Sequence, residues 1–494
     1  MYIQRKMNSV KLLYGSVNFN GTIWMIGFGA VGRALLFMLI RIIKKINIVN
    51  VIEKNDIPQD LLNFYESYNI NFIKREINMD NCEEILNSVN KNDIIIDCSY
   101  GVSTKSILEI CQNKGCAYIN SCIEEWAESE NQFGCKRTLY KQKIKSMKEG
   151  KLECESLYHR HKVLEKLAKQ NKHKKYNAII SMGCNPGNVS IWTKIALDKI
   201  NEQYNLKFDS YADLAHKLGV QTIHISERDQ QRNSVPKKKN EYCNTWSTNG
   251  EVYYEETLGF PEGSLGTHEK MKSDKNYFMF DIQAIYTKAQ SYTPLTGRFI
   301  GNMTPHEESY TIGRELTIKK DDVIIYRPSV YFVYHPTNDT MISAEELLER
   351  NLEYQTNYRL LTKEIIDGSD ELGVTIFLEN GSVYWIGSLL YIKTARGIYE
   401  NIFDNYINAT LVQVISGYLS GIVYMIDLIN KNEYKGMMYA DDLPHKELFE
   451  FSRAFLGEFV FEKVDDFKLF KYDKSYDGNI SEVKGWYINN FIIK

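Results

Sequence analysis

The stretch Ile23 to Ile40, IWMIGFGAVGRALLFMLI, constrains this chain more than any other. Its apolar character suggests a membrane helix, but Arg33 sits in its middle and Gly27, Gly29 and Gly32 break it. It reads instead as a buried strand, a glycine turn and an apolar helix. The turn, Gly27-Phe28-Gly29-Ala30-Val31-Gly32, is a G-x-G-x-x-G fingerprint in the strand-to-helix context that gives it meaning. Gly27 permits the tight turn, Gly29 lets a pyrophosphate reach the backbone, and Gly32 lets the helix pack against the strand. The free N–H groups and positive dipole end of the helix, opening at Ala30 and Val31, then face the phosphates. The second strand, INIVNVIEK, ends at Glu53, about twenty residues on, where a carboxylate accepts ribose hydroxyls and repels a 2′-phosphate. NAD is therefore preferred over NADP, a preference that the adjacent Lys54 weakens. Ser99, just past the next strand, is placed with the cofactor residues. The plainer alternative is a glycine turn in an unrelated α/β fold.

Further strands at Asp93–Cys98 and Ala117–Asn120 flank a helix around Ser103–Lys114, and strands alternating with helices indicate a doubly wound parallel sheet of Rossmann type. Asn177–Met182 reads as a short buried strand. Beyond it, residues 217–226 alternate at the strand period, which puts Glu227 on one face with Ile223 and Ile225. Residues 316–334 read as two β-rich runs split by KKDD, and Asn380-Gly381 signals a type I′ hairpin. These hairpins predict a second, α+β domain with a largely antiparallel sheet. Residues 405–429 read as a helix apolar nearly all round, buried against the first sheet through Gly417, Ser420 and Gly421. The expected organisation is an N-terminal extension over 1–20, an NAD-binding domain over 21–185, a substrate and dimerisation domain over 186–400, and a returning helix with a C-terminal segment over 401–494. A basic helical insertion at about 127–175 interrupts the NAD-binding domain. Its Leu157, Val163, Leu164 and Leu167 form one apolar stripe, so it reads as a solvated helical face packed on the body.

Composition narrows the class. A net charge of −3 over 494 residues argues against a nucleic-acid partner. Nine scattered cysteines with no C-x-x-C pair fit a reducing cytosol, and no metal site is expected. The N-terminal residues lack the apolar core of a secretion signal, so a soluble cytoplasmic protein without a membrane partner is expected.

Several polar segments stand out: Tyr118–Trp126 with Glu124, Gly183–Gly187 with Asn185, His224–Asp229 with Glu227, Asn244-Thr245-Trp246, Thr304–Ser309 with His306 and Glu308, and Asp367–Gly373 with Asp370. Taken singly, Asn185-Pro186-Gly187 is most simply a turn, Trp246 a core aromatic and His306 a loop histidine. A carboxylate closing an apolar strand face, as at Glu227, is harder to explain structurally, because burying it without a partner is costly.

In chain order, GFGAVGR, YINSCIEEW, GCNPGNVS, HISERDQQR, NTWS, HEES, RPSVYFVYHPTND and IIDGSDELGV closely resemble the motifs of bacterial homospermidine synthases, a family of the saccharopine-dehydrogenase-like group. The resemblance runs from about residue 21 to about residue 460. It implies a cytosolic homodimer with tightly held NAD that joins putrescine units into homospermidine and releases ammonia. By that reading a neutral amine loses hydride from its α-carbon to NAD, a second putrescine attacks the iminium, ammonia leaves, and the new imine regains the hydride. Net redox is zero. The resemblance also assigns residues. Trp246 matches a tryptophan that stabilises the cationic intermediate, Glu227 an acid that holds an ammonium near it, and His306 and Glu308 a pocket His-x-Glu pair. Glu124, Asn185 and Asp370 match other substrate-binding positions. A diamine is a dication at neutral pH, and carboxylates with an aromatic face suit it. His306 is the residue best placed for proton transfer by its ordinary pKa; a hydrogen-bonding role is the equal alternative. One departure is visible: Gly101 stands where the family carries an acidic residue.

Two other readings remain. A carboxyspermidine or saccharopine-type dehydrogenase makes a C–N bond by net NADPH oxidation, and its carboxylated substrate would need Arg or Lys; Arg228 and Arg232 are the nearest such groups. An inactive NAD-binding regulator has only Gly101 in its favour. Spermidine in place of one putrescine, with 1,3-diaminopropane leaving, is left open by the sequence.

Overall fold

The computed structural model describes residues 17–126, 156–247, 257, 259–271, 276–351, 353–472 and 480–493. Most of the expected N-terminal extension and residues 127–155 of the basic insertion lie outside this set. The chain forms two compact units, Met1–Asn188 with Val414–Ala454 and Val189–Gln413 with Phe455–Lys494. The first crossing falls close to the expected boundary at 185. The expected 401–494 segment is shared between the units, because the helix Ala409–Lys431 changes unit after Gln413 without any break in its apolar sequence.

The first unit is built on a parallel sheet of β1 (Thr22–Ile26), β2 (Ile48–Glu53), β3 (Ile70–Lys74), β4 (Ile94–Asp97), β5 (Ala117–Asn120) and β6 (Asn177–Ile180), with the strand Gly436–Tyr439 on the edge beside β6. The spatial order is Gly436–Tyr439, β6, β5, β4, β1, β2, β3. The chain winds outward one way through β2 and β3 and then the other way through β4, β5 and β6. The reversal lies between β1 and β4, at the end of β1 where the glycine turn sits. Ile- and Val-rich strands such as IIID of β4 are buried throughout, as a sheet covered on both faces requires. Ser103 caps α2 (Thr104–Lys114) by accepting from the Ser106 N–H at 3.2 Å, and Gly115 closes it at φ 71°. Helix α3 (Leu157–Gln170) buries Leu164 and Leu167 in the core of this unit, with Val163 packed beside them, as the apolar stripe predicts.

The helix Ala409–Lys431 is long and apolar enough to cross a membrane, yet 89% of its most apolar window is buried. In its first-unit part Gly417 lies so close to the loop after β6 that a Cβ there would stand 1.8 Å from the Gly183 oxygen. A Cβ on Gly421 would meet Ile119 of β5 at 2.8 Å and Met182 at 3.0 Å. The expected close packing on the first sheet is therefore present, and the glycines make it possible.

The second unit carries a mixed sheet. Its main path is β13 (Glu458–Val464), β12 (Val383–Tyr391), β11 (Ser369–Leu378), β7 (Val220–Asp229), β10 (Ser329–His335), β9 (Gly297–Thr304) and β8 (Lys288–Thr293), with Ile492–Ile493 beside β8. Along this path only β7 and β10 run parallel, so the sheet is largely antiparallel as expected. The strand read over 217–226 begins later. Lys217 and Leu218 end a helix, Tyr211–Leu218, closed by Gly219 at φ 72°, and β7 runs on to Asp229. KKDD does turn a hairpin, between Ile318–Lys320 and Val323–Tyr326, but as a separate two-stranded ribbon. The β11–β12 hairpin is also present, with a different turn. Gly381 has φ 88° while Asn380 keeps a negative φ, and the Gly381 N–H bonds the Leu378 carbonyl at 2.9 Å. That is a type I turn followed by a left-handed glycine rather than type I′.

Replacing Gly417 with Ala forces a methyl group onto the Gly183 carbonyl. The expected outcome is a loss of about 1–3 kcal/mol of stability, from overpacking, measured by urea unfolding. Unchanged stability would mean that the close approach is not rigid.

Candidate active site

The glycine turn has the geometry its sequence predicts. Gly27 holds φ 87°, and a Cβ on it would lie 2.9 Å from both the Cys98 carbonyl oxygen and the Ser99 nitrogen. A Cβ on Gly32 would lie 2.4 Å from the Gly27 oxygen. Both residues are fixed by protein packing. Gly29 differs: its φ of −73° suits any residue, and no protein atom lies within 4 Å of a Cβ built there. A glycine needed for neither backbone nor packing fits a loop that a phosphate group must approach. Helix α1 (Ala30–Ile42) begins directly after it, so the Ala30, Val31 and Gly32 N–H groups have no carbonyl one turn back.

Glu53 is tied to this loop. Its Oε2 accepts the Phe28 N–H at 2.6 Å, and its Oε1 accepts the N–H and side-chain amide of Asn55 at 2.8 and 2.9 Å. A carboxylate has about four acceptor positions, so one remains for a ribose hydroxyl. Lys54 pairs with Glu76 at 3.1 Å. The Ser99 N–H and hydroxyl both donate to Asp97 Oδ1, at 3.0 and 2.5 Å, which fixes the turn that packs on Gly27. Burial pushes the Asp97 carboxyl up to about 6, against the lowering effect of its Ser99 and Tyr118 hydrogen bonds.

Two expected substrate residues of the first unit, Glu124 and Asn185, sit on loops joined by Asn120 at the end of β5. The Asn120 amide donates to Thr104 Oγ1 at 3.0 Å and to the Cys122 carbonyl at 2.6 Å, and its oxygen accepts the Ser181 N–H at 2.9 Å. Thr104 Oγ1 in turn accepts the Glu124 N–H at 2.9 Å. Asn185 lies in the turn closed by the Gly183 N–H on the Pro186 carbonyl at 2.7 Å. Gly101 is buried with φ 72°, a backbone conformation that favours glycine.

In the second unit one sheet face carries carboxylates side by side. Alternation along β7 puts Ile223, Ile225, Glu227 and Asp229 on that face, with Thr222, His224 and Ser226 on the other. Register brings Tyr334 of β10 and Leu372 of β11 beside Glu227, and Asp370 beside Asp229. Glu227, Asp229 and Asp370 are exposed by only 4%, 1% and 0%. Asp229 accepts from Gln231 through its N–H at 2.9 Å and its side-chain amide at 3.2 Å, and from the Thr245 hydroxyl at 3.0 Å. That last bond anchors the segment bearing half-buried Trp246. Asn408 holds the same segment through the Thr245 carbonyl. Burial raises the pKa of both Asp229 and Asp370, and the charge of Asp229 raises Asp370 further.

His306 stands on the same face, its ring edge-on to Phe332 at 4.7 Å, with Phe332 stacked on Tyr334. Its Nδ1 meets Glu308 Oε2 at 2.5 Å. Glu308 opens the helix Glu308–Glu315 and is fully buried. A neutral imidazole that donates to Glu308 through Nδ1 carries its lone pair on Nε2. Five of the expected residues, Glu227, Trp246, His306, Glu308 and Asp370, thus attach to one face. The sequence reading missed Asp229, although it lies two residues beyond Glu227 on the same period-two face. Thr410, which donates to Asp370 Oδ2 at 2.6 Å, carried no local signal.

Comparison with known proteins identifies the family. Residues 23–179 match the saccharopine dehydrogenase NADP binding domain, and residues 183–462 match the saccharopine dehydrogenase C-terminal domain. A homospermidine synthase of Blastochloris viridis is 30% identical, covering 96% of this chain and 98% of its own. One of Mesorhizobium japonicum is 28% identical, covering 98% of each. The crystal structure of a homospermidine synthase from Legionella pneumophila in complex with NAD superimposes with a TM-score of 0.81 at 28% identity, covering 97% of this chain and 98% of that one.

Because no protein atom faces Gly29, Gly29→Ala is expected to leave unfolding stability within about 0.5 kcal/mol while weakening NAD binding by roughly tenfold or more. A fluorescence titration beside a urea melt checks both. Unchanged NAD affinity would contradict the pyrophosphate assignment.

Proposed function

The chain belongs to the homospermidine synthases, NAD enzymes of the saccharopine-dehydrogenase-like group, and on that premise we propose how its residues join two putrescines, or putrescine and spermidine, into homospermidine with release of ammonia or 1,3-diaminopropane. NAD, when bound at the glycine turn, supplies a hydride acceptor that later returns the hydride. The remaining work falls to the side chains. Glu227, Asp229 and Asp370 offer a cation-binding surface, and Trp246 offers a π face to the cationic carbon, worth about 2 kcal/mol where desolvated. His306, held by Glu308, takes the ammonium proton at Nε2, so that a neutral amine can lose hydride or attack. It returns a proton to the departing amine. Burial of Glu227, Asp229, Asp370 and Glu308 limits the water that would hydrolyse the imine to an aldehyde. Glu124 and Asn185 are assigned to substrate on the family resemblance.

The observation that carries this reading is the sign of the face. Across the site-facing positions of β7, β10 and β11 there are acidic, aromatic and aliphatic side chains but no Lys or Arg. Arg228 belongs to the opposite face, where its guanidinium meets His335 at 2.6 Å, and exposed Arg232 pairs with Asp367. A carboxylated substrate finds no counter-ion here, which disfavours the carboxyspermidine or saccharopine-type reaction. A cytoplasmic homodimer completes the reading.

The test is to incubate the protein with putrescine and NAD and to assay ammonia, homospermidine and NADH together. Ammonia and homospermidine without accumulating NADH are expected. NADH in step with ammonia would mean an amine dehydrogenase. Substrate-dependent NADPH consumption would mean net reductive coupling.

A further inference from the structure

Asp229 and Asp370 are direct register partners across antiparallel β7 and β11. Like charges in that relation repel, and among the described residues neither carboxylate makes an ion pair. Their hydrogen bonds are unequal. Asp229 receives Gln231 and Thr245 in addition to Thr410. Among the described residues, the Asp370 carboxyl has the Thr410 hydroxyl alone on Oδ2, and its Oδ1 is fully buried with no partner. An ionised carboxylate left so is poorly compensated.

The Thr410 hydroxyl shows where a proton belongs. Its oxygen lies 2.6 Å from Asp370 Oδ2 and 3.3 Å from Asp229 Oδ2. One hydroxyl hydrogen can serve only one of them. Both contacts are satisfied when Asp370 is protonated and donates to Thr410 Oγ1, which then donates to Asp229 Oδ2. The surrounding charges do not remove the need for that proton. Glu227 stands two residues back on β7, Glu371 follows Asp370, and Arg228, beside Asp229, points to the other face. Burial raises both carboxyls, and the charges of Asp229 and Glu371 raise Asp370 further, while hydrogen bonds from Gln231 and Thr245 and the charge of Arg228 oppose the rise at Asp229.

We propose that Asp229, Thr410 and Asp370 form one proton-sharing receptor, and that a substrate ammonium docking on the free oxygen of Asp370 expels its proton. This rests on the diamine reading above and adds Asp229 and Thr410 as positioning residues. The step balances simply: the ammonium stays protonated, Asp370 changes from carboxylic acid to carboxylate, and one proton leaves to solvent. No carbon bond changes. Substrate affinity therefore rises as pH rises through the titration of the pair.

The experiment titrates the NADH-loaded enzyme with putrescine, since the reduced cofactor cannot accept hydride and the complex does not turn over. Calorimetry in two buffers of different ionisation enthalpy counts the protons released, and repetition across pH gives the affinity limb. The wild-type protein is expected to release up to about one proton per putrescine. Asp229→Asn removes the repelling charge, so the limb moves down by about one pH unit and release near neutrality falls. Thr410→Val removes the hydroxyl that accepts the Asp370 proton and donates to Asp229, so the limb moves down, whereas Thr410→Ser restores it. A purely structural role would change affinity at every pH and leave the limb in place. No proton release in the wild type, or the same limb in wild type and Asp229→Asn, overturns the proposal. Failure to bind putrescine overturns it together with the diamine reading, while binding with proton release but no ammonia in the turnover assay overturns only that reading.

Discussion

A carboxylate taken out of water costs several kcal/mol unless cations or hydrogen-bond donors meet it. The second unit buries Glu227, Asp229 and Asp370 on one sheet face and Glu308 at a helix start beside it. This constraint organises the face. Gln231, Thr245 and Thr410 gather around Asp229, His306 turns its Nδ1 to Glu308, and the Trp246 segment is anchored through Thr245. Even so the donors fall short, since among the described residues Asp370 Oδ1 and Glu308 Oε1 are both buried without partners. A face with this deficit favours a ligand that brings positive charge, and a polyamine brings it at spacings fixed by its methylene chain.

The first unit solves a complementary problem, the holding of an anion. It uses backbone rather than side-chain charge: a glycine turn, the open N–H groups of α1, and no acidic residue in the first helical turn. Glu53 steadies the loop through the Phe28 N–H and keeps acceptor capacity for a ribose. Asp97 plays a similar part behind the turn by fixing Ser99. The helix Ala409–Lys431 then packs so closely that Gly417 touches backbone, and the Tyr418 hydroxyl donates to the Asp97 carbonyl at 2.6 Å.

Much of this was legible in the sequence where local geometry selects a residue type. Gly27 needs a positive φ, Gly32 and Gly417 need space, and each leaves glycine as its trace. Glu227 was legible because a strand alternates and a buried acid interrupts the apolar set. Asp229 followed from the same alternation and was passed over. Thr410 was hidden, because it acts on Asp370 across forty positions through a hydroxyl that any surface threonine also carries. The boundary inside Ala409–Lys431 was hidden too, since a uniformly apolar helix shows no change where it leaves one unit for the other. At Asn380-Gly381 the dipeptide indicated the hairpin correctly, but the turn type depended on where β11 and β12 stop pairing.

The central claim is a closed redox cycle in which hydride leaves a carbon and returns to it. Putrescine deuterated on both amine-bearing carbons tests this most directly. If the cycle is closed, mass spectrometry of the homospermidine formed in the presence of excess unlabelled NADH will show every carbon-bound deuterium retained. Product lacking one deuterium, with the label found in the free cofactor pool, would contradict the account.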